Sequence, residues 1–150
     1  MERTVILIKP DAVQRELIGE ILSRFEKKGL KVVGLKMLQL SPELSKEHYS
    51  HLVGKPFYAG LENFMTHLPI VAAALEGKDA VEVVRKLVGV TNAREAAPGT
   101  IRGDFSMSVS KNTIHASDSK ETAEKELKRF FKKEELFNYK KQDYYYANDE

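Results

Sequence analysis

At 150 residues the chain has the length of one domain, enough to bury roughly 70% of its unfolded surface in a core. With 42% hydrophobic residues, 31% charged residues and no cysteine, it is neither a disordered segment nor a disulfide scaffold, and it offers neither a thiolate zinc site nor a cysteine nucleophile. Its 24 basic and 22 acidic side chains leave a net charge of +2, too small an excess to mark a nucleic-acid binder, and its longest apolar runs, Val5–Ile8 and Ile70–Leu75, are too short to cross a bilayer.

Met1–Thr4 leads into a strand and shows no secretory apolar region. Val5-Ile6-Leu7-Ile8 is β-rich and apolar on both parities, the pattern of a central strand buried on two faces, and Lys9-Pro10-Asp11 ends it. Leu17, Ile18, Ile21, Leu22 and Phe25 recur at helical spacing, with Gly29 as the stop. Lys31–Leu40 reads as a second strand, broken by Ser41-Pro42. Residues 43–68 read as helical, with interruptions at Gly54-Lys55-Pro56 and at Gly60. Pro69–Leu75 is a third strand, ending near Gly77. Asp79 is placed to cap a helix with Ala80, Val83, Val84, Leu87 and Val88 inside. Gly89–Gly103 lacks periodicity and reads as a long structured loop, a kind of segment that often carries function. A short strand over Thr113–His115 follows, then a helix from a Ser119 cap to about Lys132 with Ala123, Leu127, Phe130 and Phe131 facing inward. The tyrosine-rich tail is expected to pack on its own subunit or on a neighbour. Helices interrupting strands indicate one α/β or α+β domain over residues 1–150, compatible with a split βαβ sandwich; periodicity does not choose the strand order.

No glycine-rich phosphate cradle occurs in the sequence, so any phosphate must be held by side chains. His115 ends a short strand just before a helix start, where backbone N–H groups favour anions. Neutral imidazole is a nucleophile once a second group fixes which nitrogen attacks, and Glu126, at the border of the apolar stripe near Phe130, is a candidate for that group. On spacing alone, a structural histidine and a solvated glutamate explain the same residues. Lys9, Arg85 and Arg102 are cations suited to polyphosphate, although spacing does not show that they converge. Phe57, in Lys-Pro-Phe-Tyr, reads either as a ring for stacking on a base or as a core contact. His48 and His51 stand three apart on a helix with no third ligand near, and read as surface or interface histidines rather than a metal pair.

Together these segments resemble one family. Asn112-Thr113-Ile114-His115-Ala116-Ser117-Asp118 resembles the active-site signature of nucleoside diphosphate kinases, Asn-x-x-His-Gly/Ala-Ser-Asp. Lys9-Pro10-Asp11-Ala12-Val13 is similar to the family's first-strand motif, Pro56–Leu61 to its nucleotide-gripping segment, and Pro98–Asp104 to the end of its long loop. The resemblance implies a ferredoxin-like α/β sandwich with a four-stranded antiparallel sheet covered by helices. It implies ping-pong transfer of the γ-phosphate of a nucleoside triphosphate to nucleoside diphosphates, through a phosphohistidine on His115 and with broad base specificity. By position, Glu126 holds the other ring nitrogen of His115 and Ser117 bonds to Glu126. Lys9, Tyr49, Arg85, Thr91, Arg102 and Asn112 surround the phosphates and ribose, while Phe57 stacks on the base and Leu61 and Val109 line the slot.

The resemblance further implies Mg²⁺ carried by the nucleotide phosphates with no protein metal site, and a homo-oligomer, for which a hexamer is expected in preference to a tetramer; a cytoplasmic protein is expected, with no membrane partner given its short apolar runs and no nucleic acid as main partner given its near-neutral charge. Ala12, His51, Leu75, Ala93 and Ala116 depart from the commonest family pattern, and none is a residue assigned to chemistry. The alternative is a non-catalytic nucleotide-binding or scaffold relative.

Overall fold

The computed structural model describes residues 1–141, 146 and 147. Four strands, β1 (Glu2–Ile8), β2 (Lys31–Leu38), β3 (Ile70–Gly77) and β4 (Ile114–Ala116), form one sheet in the order β2-β3-β1-β4. Every neighbouring pair is antiparallel. The helices are α1 (Pro10–Gln14), α2 (Ile18–Lys28), α3 (Pro42–His48), α4 (Tyr58–Thr66), α5 (Ala80–Val88), α6 (Ile101–Phe105) and α7 (Lys120–Phe130), with a 3-10 turn at Lys133–Glu135. This is the ferredoxin-like sandwich implied by the resemblance.

Alternation along β1 divides the core into two layers. Ile6 and Ile8 face Ile21 and Phe25 of α2 and Val84 and Val88 of α5. Val5 and Leu7 face Tyr49, Tyr58 and Phe130 on the other side of the sheet. Both faces being covered explains why β1 carries no polar alternation. Each such side chain, fully buried, contributes about 1.5–3 kcal/mol relative to exposure.

The element boundaries follow local chemistry. Pro10 and Pro42 end strands because each sits in the first turn of a helix, where the missing N–H costs nothing. Gly29 closes α2 in the left-handed conformation, φ 108°, as its position in the sequence suggests. Ser119 caps α7 by accepting the Thr122 N–H at 3.1 Å.

Several expectations are corrected. Gly60 does not interrupt a helix but lies within α4. Gly89–Gly103 is not all loop: Thr100 caps the short helix α6 by accepting the Gly103 N–H at 3.0 Å. Asp79 flanks α5 without capping it, because at φ 49° its side chain makes no cap bond; Glu2, from β1, accepts the Val81 N–H at 2.8 Å instead.

β2 is an edge strand, and later chain crosses half of it. The Phe137 N–H donates to the Val33 carbonyl at 2.8 Å, the Tyr139 hydroxyl to the Val32 carbonyl, and the Lys31 ammonium to the Tyr139 carbonyl at 2.7 Å. Gly34 lets this segment approach: a Cβ there would stand 2.9 Å from Leu136 and 3.0 Å from Phe131. In the tyrosine-rich tail, the Tyr146 hydroxyl accepts the Lys78 N–H at 3.1 Å, a contact within the chain. Residues 142–145 and 148–150 lie outside the described residues.

Candidate active site

The centre of the site is set by the pleat of β4. Ile114 and Ala116 point into the first core layer, so His115 between them points to the opposite face. There it meets α7, whose first turn is anchored by the Ser119 cap. Glu126 lies on the buried face of α7, and both its oxygens reach the His115 Nε2, at 2.8 and 3.0 Å. The Ser117 hydroxyl donates to Glu126 Oε1 at 2.5 Å. Burial alone would raise the Glu126 carboxyl; the hydrogen bond and charge of His115, with Ser117 and His48, outweigh it and hold the group below the ordinary carboxylate value. An ionised carboxylate only accepts, so His115 Nε2 carries the proton and donates it. Nδ1 then keeps its in-plane lone pair, and it makes no hydrogen bond among the described residues.

Sequence reasoning missed His48 and Arg129. His48 is not a surface or interface histidine: it is buried, with its ring edge-on to those of His115, Tyr49 and Phe130 at 4.8, 4.6 and 5.1 Å. Its Nδ1 accepts from the Arg129 guanidinium at 3.0 Å and lies 3.5 Å from Glu126 Oε2. Burial, with the neighbouring His115 charge, pushes the His48 pKa down to about 3, so the ring is neutral at physiological pH. The available signal was the spacing of Arg129 from Glu126, which puts both on one face of α7. Single ligand atoms of His48, His115 and Glu126 lie within 4.8 Å of one another, a grouping that leaves His51 out. His51 is exposed.

A second group gathers around Asn112. The Lys9 ammonium donates to Asn112 Oδ1 at 2.7 Å, and Asn112 Nδ2 donates to the Thr91 carbonyl at 3.0 Å. The Arg102 guanidinium donates to the carbonyls of Gly89 and Ile114 at 3.0 and 2.7 Å. Lys9 and Arg102 are both buried and have no carboxylate in an ion pair among the described residues. Burial first, then the charge of Arg102, pulls the Lys9 pKa down to about 8. Burial and the charge of Arg85 pull Arg102 down to about 10. Lys9 and Arg102 therefore meet at Asn112, and Arg85 is near enough for its charge to act on Arg102. Asp11 offsets part of the Lys9 charge, and the desolvated positive charge that remains is poised to receive an anion rather than a metal ion.

Tyr49 lies against the His48 ring, its buried hydroxyl without a hydrogen bond among the described residues. Phe57 flanks the start of α4 with 57% of its surface exposed, and Val109 is 50% exposed. Leu61 packs on the second core layer. No hydrogen bond or ring contact among the described residues links Phe57, Leu61 or Val109 to the cations.

A family profile described as Nucleoside diphosphate kinase matches residues 2–136. The nucleoside diphosphate kinase of Parabacteroides distasonis is 56% identical, the match covering 100% of this chain and 99% of that one. That of Pyrococcus horikoshii is 59% identical over 92% and 90% of the two chains. Among solved structures, a halophilic nucleoside diphosphate kinase from Halobacterium salinarum in complex with CDP superposes with a TM-score of 0.92 at 46% identity, over 94% of each chain.

Proposed function

We infer how the reaction runs from what the chain is: it belongs to the nucleoside diphosphate kinase family and is an enzyme, a phosphotransferase that moves the terminal phosphate of a nucleoside triphosphate to a nucleoside diphosphate. The non-catalytic alternative is not favoured beside these relatives. The transfer proceeds by ping-pong through His115. The lone pair on Nδ1 attacks the γ-phosphorus, the bond to the β–γ bridging oxygen breaks, and the nucleoside diphosphate leaves. A terminal oxygen of a second nucleoside diphosphate then attacks the phosphorus and the N–P bond breaks. Phosphorylation at Nδ1 leaves the ring positive, and the Glu126 carboxylate on Nε2 compensates that charge while Ser117 holds the carboxylate. The observation that carries this reading is the grip of both Glu126 oxygens on one ring nitrogen, which leaves the other free.

Lys9, Arg85 and Arg102 neutralise the phosphate oxygens, Asn112 and Thr91 complete their surround together with Tyr49, and Phe57 stacks on the base between Leu61 and Val109. Stacking tolerates any base, so specificity is broad. Mg²⁺ enters as part of the nucleotide and shields its phosphate oxygens. The cytoplasm, where nucleotide pools are balanced, is the setting this activity suits. The protein assembles as a homo-oligomer, a hexamer built from dimers. Support comes from β2, an edge strand with Leu35 and Met37 exposed at 53% and 59%.

Mixing the protein with ATP and no acceptor is expected to give an acid-labile phosphoryl adduct on His115 by intact mass, discharged on adding a nucleoside diphosphate. Activity retained in full by His115→Ala, or no adduct on the wild type, overturns the route.

A further inference from the structure

The register of β4 is held from outside the strand. β4 has three residues and three pairs with β1, Ile6↔Ala116, Leu7↔His115 and Ile8↔Ile114. A slip of one residue would turn His115 into the first core layer and push Ile114 and Ala116 away from it. So short a ladder is weak insurance against that. Immediately before it, the Ile114 N–H donates to the Asn112 carbonyl at 2.8 Å, closing a three-residue turn centred on Thr113. Thr113 has φ 67°, in the left-handed region that a β-branched residue rarely enters. This is the geometry of the rare, strained γ-turn.

Strain of this kind persists only where the surroundings over-determine it, and here they do. The Thr113 N–H donates to Asp11 Oδ2 at 3.0 Å, and its carbonyl accepts the Lys9 N–H at 2.8 Å. Its hydroxyl donates to the Asn112 carbonyl at 2.6 Å and accepts from Ser106 at 3.3 Å. Among the described residues the Asp11 carboxylate is the side chain that takes the Thr113 N–H, while the Arg102 guanidinium donates to the carbonyls on either side, of Asn112 at 3.4 Å and of Ile114 at 2.7 Å. The second Asp11 oxygen, Oδ1, is buried without a hydrogen-bond partner among the described residues, an arrangement that stability alone does not explain.

We propose that Asp11 is a positioning residue: by holding the Thr113 N–H it locks the strained turn that fixes the register of β4, and with it the place of His115 opposite Glu126. The inference rests on His115 being the nucleophile. The residues that grip phosphate and the one that attacks it are separated by this single turn, so Asp11 also sets their relative placement.

Asp11 has a second available role, since its charge favours the charged form of Lys9. Two variants separate the roles. Asp11→Asn keeps an oxygen able to accept the Thr113 N–H but removes the charge; its amide nitrogen replaces an oxygen that already lacks a partner. Asp11→Glu keeps the charge but displaces the oxygens by a methylene. Phosphorylation of the full chain by excess ATP is followed in a single turnover at pH 7 by rapid quench and intact mass, with the ATP concentration varied. Asn is expected within about threefold of wild type, and Glu at least about tenfold slower at saturation with half-saturating ATP little changed, since an ångström of misplacement costs on that scale. An Asp11→Asn variant no faster than Asp11→Glu overturns the proposal. A wild-type chain that forms no adduct overturns the reading of His115 itself, and this inference with it.

Discussion

In the proposed route the nucleophile, His115, is prepared by the way its neighbours divide its two nitrogens. Glu126 is kept ionised against its burial, and that ionisation assigns the His115 proton to Nε2. His48 closes the same wall as a neutral ring, with Arg129 occupying its Nδ1. The pH behaviour of the cations follows from burial. Lys9, with a pKa near 8 against an ordinary 10.5, binds fewer protons folded than unfolded between those values, so its contribution to folding stability rises with pH across that window. Nucleotide binding runs the other way. Phosphate prefers charged Lys9, so the KM for ATP is expected to climb as pH passes about 8. Measuring KM from pH 6.5 to 9.5 in wild type and Lys9→Met checks this: the variant should start with weaker binding and lack the rise. Lys9, His115 and Glu126 were legible in sequence because each falls in a motif or on a stripe. His48 was not, because the packing of α3 against α7, rather than any spacing within α3, buries it.

At the level of elements, local rules placed the helix stops and starts where one residue decides them, as at Gly29, Pro42 and Ser119. They failed where a distant residue takes over. Asp79 has the right residue type and position for a cap, yet Glu2, far away in the sequence, makes the bond. The strand order was silent for the same reason, since four strands of similar pattern can be ordered only by what packs on them. Gly34 is another such case, an ordinary glycine in a strand until chain from beyond α7 is laid over it. Gly34→Ala would drive a methyl into Leu136 and Phe131 and is expected to cost about 1–3 kcal/mol, as overpacking does. Thermal unfolding should show the loss, with single-turnover phosphorylation at lower temperature little affected.

For the whole molecule, the two core layers leave the site at one end of the sheet, where β1 ends and the antiparallel β4 begins, beside α7 and the segment that follows α5. This end is built from sequence-distant parts, so a single sheet fixes His115, Glu126 and the cations together. The outer edge of β2 is free of catalytic duties and exposes Leu35 and Met37. If that edge joins copies of the chain, Leu35→Lys combined with Met37→Lys is expected to lower the mass measured by sedimentation equilibrium while the monomer stays folded by circular dichroism. An unchanged mass would place the assembly contact elsewhere.

The strap over β2 has a consequence for biosynthesis. Tyr139 follows the Val32 carbonyl it covers by 107 residues. On the ribosome, the edge therefore emerges long before its cover is translated, open to any other nascent strand that comes by. Tyr139 and its neighbours thus reach β2 only late in translation, and a chain that folds as it is made is expected to expose that edge until then.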